Sequence, residues 1–437
     1  MKRPCYILLS ATVILCSGRC LPQSTTTAYE IGTWQGFRSA AISYTFDDNC
    51  PSHFSVALPM FDSCGLHLTL FGITNVWPYW KGWQNAVANG HEVGSHTVGH
   101  PYLDSLTESE QLAEIKGSED ALNARVTGQR CVTLAYPYGH IGDTNMVRQF
   151  YIAARTCQTI ISPPTPANFM AIGGIMCGAQ GTVRTTADFD TFSNRAARKN
   201  GWCVYVVHAL DKEKGASPLP SDTLRASLAY LKAHQEIFWV APFGVVAKYI
   251  KERNSASVSE LSIHPDSIVV QVTDTLDNSI YNCPLTIRRL LPAGWDSSIV
   301  IENGKLLNSQ IVEIGGTKYV MFDVIPQRAN SVLLKKAASV TRRVQQTESP
   351  VAFSLSQNYP NPFNPTTIIA FQIPASCWVT LKLYNILGQE VAVLVNDRRE
   401  AGRYESVLDA SSLSSGAYFY RLQAGDYLST RRLLVLR

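Results

Sequence analysis

Charge is scarce in this chain: Asp, Glu, Lys and Arg together make up 16% of its 437 residues, and the net charge is only +4. So weak an imbalance gives no case for nucleic acid or an anionic membrane surface as a partner. No two cysteines stand in a CxxC arrangement, which argues against a thiolate zinc site. Beyond the N-terminal stretch no apolar run is long enough to cross a bilayer, so no transmembrane segment is expected. Long internal repeats are also lacking, which excludes a solenoid. What remains is a composition 46% hydrophobic, globular in type, and a length that suits two or three domains.

The N-terminus reads as an export signal. Lys2 and Arg3 precede a mostly apolar run from Tyr6 to Leu15, and the small residues Ser17 and Gly18 follow. This pattern predicts a signal peptide over 1–20 and hence a secreted or cell-surface location reached through the periplasm. Of the 11 cysteines, Cys5, Cys16 and Cys20 lie in or beside that segment. An oxidising compartment would permit the others to pair, but spacing does not say how.

Residues 30–253 alternate short apolar runs with amphipathic stretches. Arg38–Phe46, Leu66–Phe71, Cys131–Tyr136, Cys203–Val207 and Ile237–Ala241 read as buried strands. Helix signals lie between them. Thr107-Glu108-Ser109-Glu110 is a capping box, and Leu224, Leu228 and Leu231 share one helix face. Such alternation implies an α/β domain with a parallel sheet or barrel, whose chemistry gathers at the C-terminal strand ends. Beyond it, residues 258–336 read as a small all-β, sandwich-like accessory domain and 337–350 as a linker. A second small all-β domain is expected over 351–437, opening with the proline-punctuated Asn358-Tyr359-Pro360-Asn361-Pro362-Phe363-Asn364-Pro365.

Four short motifs fall in order on the α/β part. Asp47-Asp48 ends the first strand, where both carboxylates can reach one mouth, although adjacent acids are also ordinary turn chemistry. His96 and His100 are four apart, as they would be on one side of a helical turn. Neutral imidazoles with a carboxylate suit zinc, and also cobalt, nickel or iron. Pro137-Tyr138-Gly139 follows a strand in a turn whose N–H groups could bind an oxyanion, and His208 closes another strand as a candidate general acid. Each motif alone has a bland reading. Trp77, Tyr79, Trp80 and Trp83 could stack on sugar rings or could equally serve a core.

Together these motifs resemble the NodB-homology polysaccharide deacetylases, carbohydrate esterase family 4. The resemblance implies a distorted (β/α) barrel, with Asp47 as catalytic base, Asp48, His96 and His100 as metal ligands, Tyr138 as oxyanion donor through its backbone, and His208 as general acid. It implies hydrolysis of N-acetyl, or O-acetyl, groups on an acetylated polysaccharide with a divalent metal, zinc first. Pro137, Tyr138 and Arg155 are the residues expected around the substrate. Three departures stand out. Asn49 replaces the usual glycine after Asp-Asp, and asparagine tolerates positive φ. Ala135 stands where many members carry the arginine that orients the base, a role Arg155 could take over. The aspartate that tunes the acid histidine has no clear counterpart, with Asp188, Asp190 and Asp211 as candidates. These departures keep two alternatives open, an inactive or weak carbohydrate-binding protein and a hydrolase of other non-peptide C–N bonds.

A second resemblance covers 351–437. Gln357–Pro365, Tyr384-Asn385-Ile386-Leu387-Gly388-Gln389-Glu390 and Ser415–Leu422 are similar to the type A sorting domain of the type IX secretion system. That implies a β-sandwich address label, with the secretion machinery as partner.

Overall fold

The computed structural model describes residues 28–295, 297–327, 331–336, 341–344, 350–364, 366–410 and 413–436. The expected signal peptide lies outside the described residues.

The α/β part is built on one parallel sheet. Its strands are β1 (Ala40–Asp47), β2 (Thr69–Gly72), β3 (Glu92–Ser95), β4 (Thr133–Ala135), β5 (Ala153–Arg155), β6 (Ile175–Met176), β7 (Trp202–Val207) and β8 (Phe238–Val240). They run in the order β5-β4-β3-β2-β1-β7-β6, with β8 added to the first half of β1. A parallel bridge between Arg155 and Ile172, just ahead of β6, joins one edge to the other. The sheet therefore curls into a distorted (β/α) barrel, as the sequence leads one to expect.

Both faces of the sheet are covered. β1 and β7 are buried at every position, which is why they read as continuous apolar runs rather than alternating ones. The helices α1 (Leu58–Cys64), α2 (Trp80–Ala88), α3 (Glu108–Arg125), α4 (Thr186–Arg198), α5 (Ser221–Ala233) and α6 (Phe243–Ser255) pack around them. Thr107 caps α3 with a reciprocal box to Glu110. Leu224, Leu228 and Leu231 of α5 are all buried in the main core beside Tyr44 and Phe61.

Residues 257–336 form two antiparallel sheets around Ile268, Val270, Ile287, Val300, Phe322 and Leu334. The segment Tyr29–Ile31, which the sequence groups largely with the barrel, is instead an edge strand here, paired with Leu285–Leu290. The C-terminal part is a sandwich of two four-stranded sheets, with Ile369, Phe371, Leu381, Tyr420 and Leu433 between them. Thr341–Val344, in the expected linker, pairs with one of those sheets. Among the described residues no helix is long and apolar enough to cross a membrane, and the eight described cysteines are free.

Candidate active site

The four motifs meet at the C-terminal end of the barrel. β1 delivers Asp47 and the following Asp48, β3 is followed by His96 and His100, β4 by Tyr138, and β7 by His208. Asp48, His96 and His100 form the one cluster among the described residues that could hold a metal ion. His96 Nε2 and His100 Nε2 are 3.1 Å apart, and Asp48 Oδ1 lies 3.5 Å from the first and 3.3 Å from the second. A tetrahedral zinc with bonds of about 2.0–2.2 Å has ligand–ligand edges of about 3.3–3.6 Å, so the three atoms stand nearly where such an ion would need them. Asp48 Oδ1 is buried without a hydrogen-bond partner, an oxygen that a cation would satisfy.

Local structure aims these groups. His96 Nδ1 bonds the Ala135 carbonyl at 2.8 Å, which turns Nε2 toward the cluster. The 96–100 segment is a loop and not the helical turn that the four-residue spacing suggests. Thr97 and His100 have φ of 67° and 64°, and the His100 N–H donates to Thr97 Oγ1. The left-handed residues fold the loop back so that both imidazoles converge. Burial, reinforced by His96, lowers His100 to about 4, which keeps its imidazole neutral and able to ligate. Burial by itself would raise Asp48, but His96, with His208 and His100, holds its carboxyl well below the usual range.

Asp47 is buried beside the cluster and forms an ion pair with Arg155 through Oδ2. Its Oδ1 is buried and free of hydrogen bonds. Burial opposes ionisation, but Arg155, then His96 and His208, keep the carboxyl below its ordinary pKa. Asp47 is thus a carboxylate with one oxygen fixed and the other available. His208 Nε2 stands 4.0 Å from Asp47 Oδ2 and 3.7 Å from Asp48 Oδ2. Its other nitrogen, Nδ1, is buried and without a partner.

Two residues expected around the substrate are turned elsewhere. Arg155 is fully buried and points at Asp47, and Pro137 is buried in its turn; neither offers surface to a ligand. Pro137 instead shapes the turn in which Tyr138 adopts φ 57°. Arg155 comes from β5, next to the strand that carries Ala135, so the guanidinium reaches Asp47 from a different strand. Of the candidate tuning acids, Asp188 is spent on capping α4 and Asp211 on the Ser221 N–H. Asp190 Oδ1 is buried and unpartnered. None of the three bonds His208 Nδ1.

The sequence underrates two residues. His53 is buried; its Nε2 bonds the His208 carbonyl at 2.9 Å and its ring packs on Phe46. Asn49 has φ 56°, which asparagine tolerates, and it also uses its side chain. Its amide donates to the carbonyls of Ile73 and Val76 and accepts from the Ile73 N–H. Nothing in the local pattern signals either contact, because both partners are remote in the chain. His91 is buried and accepts from the Leu68 N–H while its other ring nitrogen bonds Asp62.

Residues 36–150 match the family model described as polysaccharide deacetylase, and residues 357–436 match that described as secretion system C-terminal sorting domain. A gellan lyase from a Bacillus species is 24% identical over 331 residues, which span 71% of this chain and 13% of the lyase. An Arthroderma benhamiae protein named "Probable peptidoglycan-N-acetylglucosamine deacetylase" is 28% identical over 125 residues, 27% of this chain and 28% of that protein. The chain thus spans well under half the length of these relatives. Among solved structures, the Xyl-CE4 domain of a multidomain xylanase from the hindgut metagenome of Trinervitermes trinervoides is 18% identical with a TM-score of 0.34, covering 46% of this chain and 86% of that one. The peptidoglycan deacetylase PdaC from Bacillus subtilis is 17% identical with a TM-score of 0.34, covering 49% and 92%.

The chain thus carries a match to a polysaccharide deacetylase model in its barrel and a match to a secretion system sorting-domain model at its C-terminal end. The sorting-domain match indicates a secreted or cell-surface protein.

Proposed function

We propose that the barrel removes acetyl groups from an N-acetylated polysaccharide by hydrolysis, with O-acetyl groups open to the same chemistry. The observation that carries this reading is the convergence of Asp48, His96 and His100 beside Asp47. The triad would hold a divalent cation, zinc by its donor set, which when bound supplies Lewis acidity toward water and the acetyl carbonyl. Asp47, with Oδ2 held by Arg155, takes the proton of the attacking water at its free Oδ1. The Tyr138 backbone N–H, in the turn that Pro137 fixes, donates to the oxyanion as it forms. His208 donates its proton to the leaving amine or alcohol. Its Nδ1 has no hydrogen-bond partner, so nothing fixes the ring from behind, and this is what a weak enzyme or a binding protein would share.

The test is acetate release from a panel of acetylated glycans. Activity should vanish with a chelator, return with zinc or cobalt, and fall at least about 100-fold in Asp47→Asn. A variant that turns over like the parent rules out the mechanism. Binding without release by metal-loaded protein selects the binding-protein reading, and release from non-sugar amides alone selects the other hydrolase.

A further inference from the structure

Tyr138 holds an unfavourable backbone conformation in an open place. Its φ is 57°, and its side chain is 54% exposed. A bulky residue keeps a left-handed φ only where its surroundings enforce it, and here burial does little of that. The turn closes through two backbone bonds, Gly139 N–H to the Tyr136 carbonyl and His140 N–H to the Pro137 carbonyl, both 3.0 Å. These bonds flank Tyr138 and leave its ring to be held by other means.

The ring is confined by aromatic neighbours. Tyr102 lies flat on it, with centroids 4.1 Å apart and planes 13° from parallel. His100 meets it at a steep angle, 4.5 Å between centroids. Tyr102 is itself held from several sides. His140 packs edge-on against it at 4.9 Å, with Nδ1 bonded to Asp104 at 2.8 Å. The Tyr102 carbonyl accepts from the Ser105 N–H and hydroxyl, and the adjoining Leu103 is buried in the main core. Tyr102 follows His100 by two residues. The loop that carries two of the candidate metal ligands therefore also supplies the rings that confine Tyr138.

We propose that Tyr102 is a positioning residue for the oxyanion donor. By stacking on Tyr138 it holds the turn in the conformation from which the Tyr138 N–H meets the forming oxyanion, and it couples that turn to the metal loop. One face of Tyr102 is taken up by Tyr138, so its stacking partner is the protein and not a sugar. The role rests on the deacetylase reading, since it needs an oxyanion to serve. Removing an oxyanion donor outright costs about 100–1,000-fold in kcat. Slackening one costs less, and the loss of a stacked aromatic pair sets the scale at about tenfold.

The test compares Tyr102→Ala and Tyr102→Phe in the zinc-loaded full chain, by acetate release from the hexamer of N-acetylglucosamine and by hydrogen exchange of the 136–140 amides. Tyr102 is half exposed, so alanine leaves no core cavity. Tyr102→Ala should lower kcat about tenfold with KM within about twofold, because the lost interaction acts in the transition state. Tyr102→Phe keeps the stack and should stay within about twofold of the parent. Exchange over 136–140 should quicken about tenfold in the alanine variant and match the parent in the phenylalanine one, with β1 unchanged in both. Overturning results are an alanine variant with the parent's kcat or exchange, a phenylalanine variant no better than alanine, or a raised KM at unchanged kcat, which would make Tyr102 a sugar contact. Quickening that reaches β1 as well also overturns the role, since Tyr102 would then support the fold at large. If the parent releases no acetate, the deacetylase reading fails, and the exchange comparison, which needs no turnover, still decides whether Tyr102 holds the turn.

Discussion

Arg155 and Asp47 show how one contact can preserve a site whose usual residue is missing. Ala135 cannot orient a carboxylate, but the guanidinium of Arg155 on the adjacent strand reaches Asp47 and pairs with it out of solvent. Breaking a buried pair from one side leaves the other charge unsolvated, at a cost of about 3–5 kcal/mol. Arg155→Met is therefore expected to lose stability on that order in denaturant melts at pH 7, and to release acetate about 100-fold more slowly. The pH dependence has a definite sign. Asp47 is held below its unfolded pKa of about 3.9, so the pair's stabilisation is present above that value and disappears as pH falls through the folded one. The gap between parent and Arg155→Met should close in acid; a constant gap would assign the loss to packing. Arg155 itself is legible in the sequence as a replacement arginine, but not its burial, which depends on Asp47 and Phe71 reaching it from other strands.

The elements vary in how openly they declare themselves. β1 and β7 are long, apolar and read directly. β3 contains Gly94 and begins at Glu92, β5 is three residues long and ends in an arginine, and β6 has two residues. Strands this short carry no usable period, since their pairing is imposed by neighbours already in the sheet. The helices behave differently because their signals are local. Thr107 and Glu110 cap α3 in the structure as their spacing predicts. Replacing Thr107 with Ala removes the acceptor for an exposed N–H and should cost about 1 kcal/mol by chemical denaturation, within a range of about 0.5–2. No measurable loss would mean that the packing of Ile115 and Leu122 alone holds the helix.

Between the barrel and the β-region that follows, α6 contributes Glu252. It is fully buried, and both its oxygens accept from the Cys283 N–H, at 2.9 and 3.0 Å. Burial raises its pKa to about 8, against about 4.3 in an unfolded chain. Folding thus favours the protonated acid. The stability it contributes is full below pH of about 4.3 and is lost as pH climbs through about 8. The melting temperature should fall between pH 6 and pH 9, and Glu252→Gln, which cannot ionise, should flatten that fall. An unchanged slope in the variant would place the pH sensitivity elsewhere. Cys283 and Leu285 also join the core cluster of Trp239, Phe243 and Ile250, so this junction is apolar as well as ionisable.

The order of residues along the chain was enough to indicate the barrel class and the sorting domain and to single out candidate reacting groups, because each rests on local chemistry: paired acids at a strand end, imidazoles at a fixed spacing, turn residues in runs. It could not say which side chains meet or which are hidden. That Arg155 serves Asp47 and not the substrate, that the histidine loop closes through left-handed residues, that Trp77 stands in solvent while Trp83 fills the core, and that Asn49 grips the loop after β2 follow from contacts between segments distant in sequence. Such contacts form only when the whole chain has packed, since burial and orientation belong to the assembled neighbourhood and not to the residue.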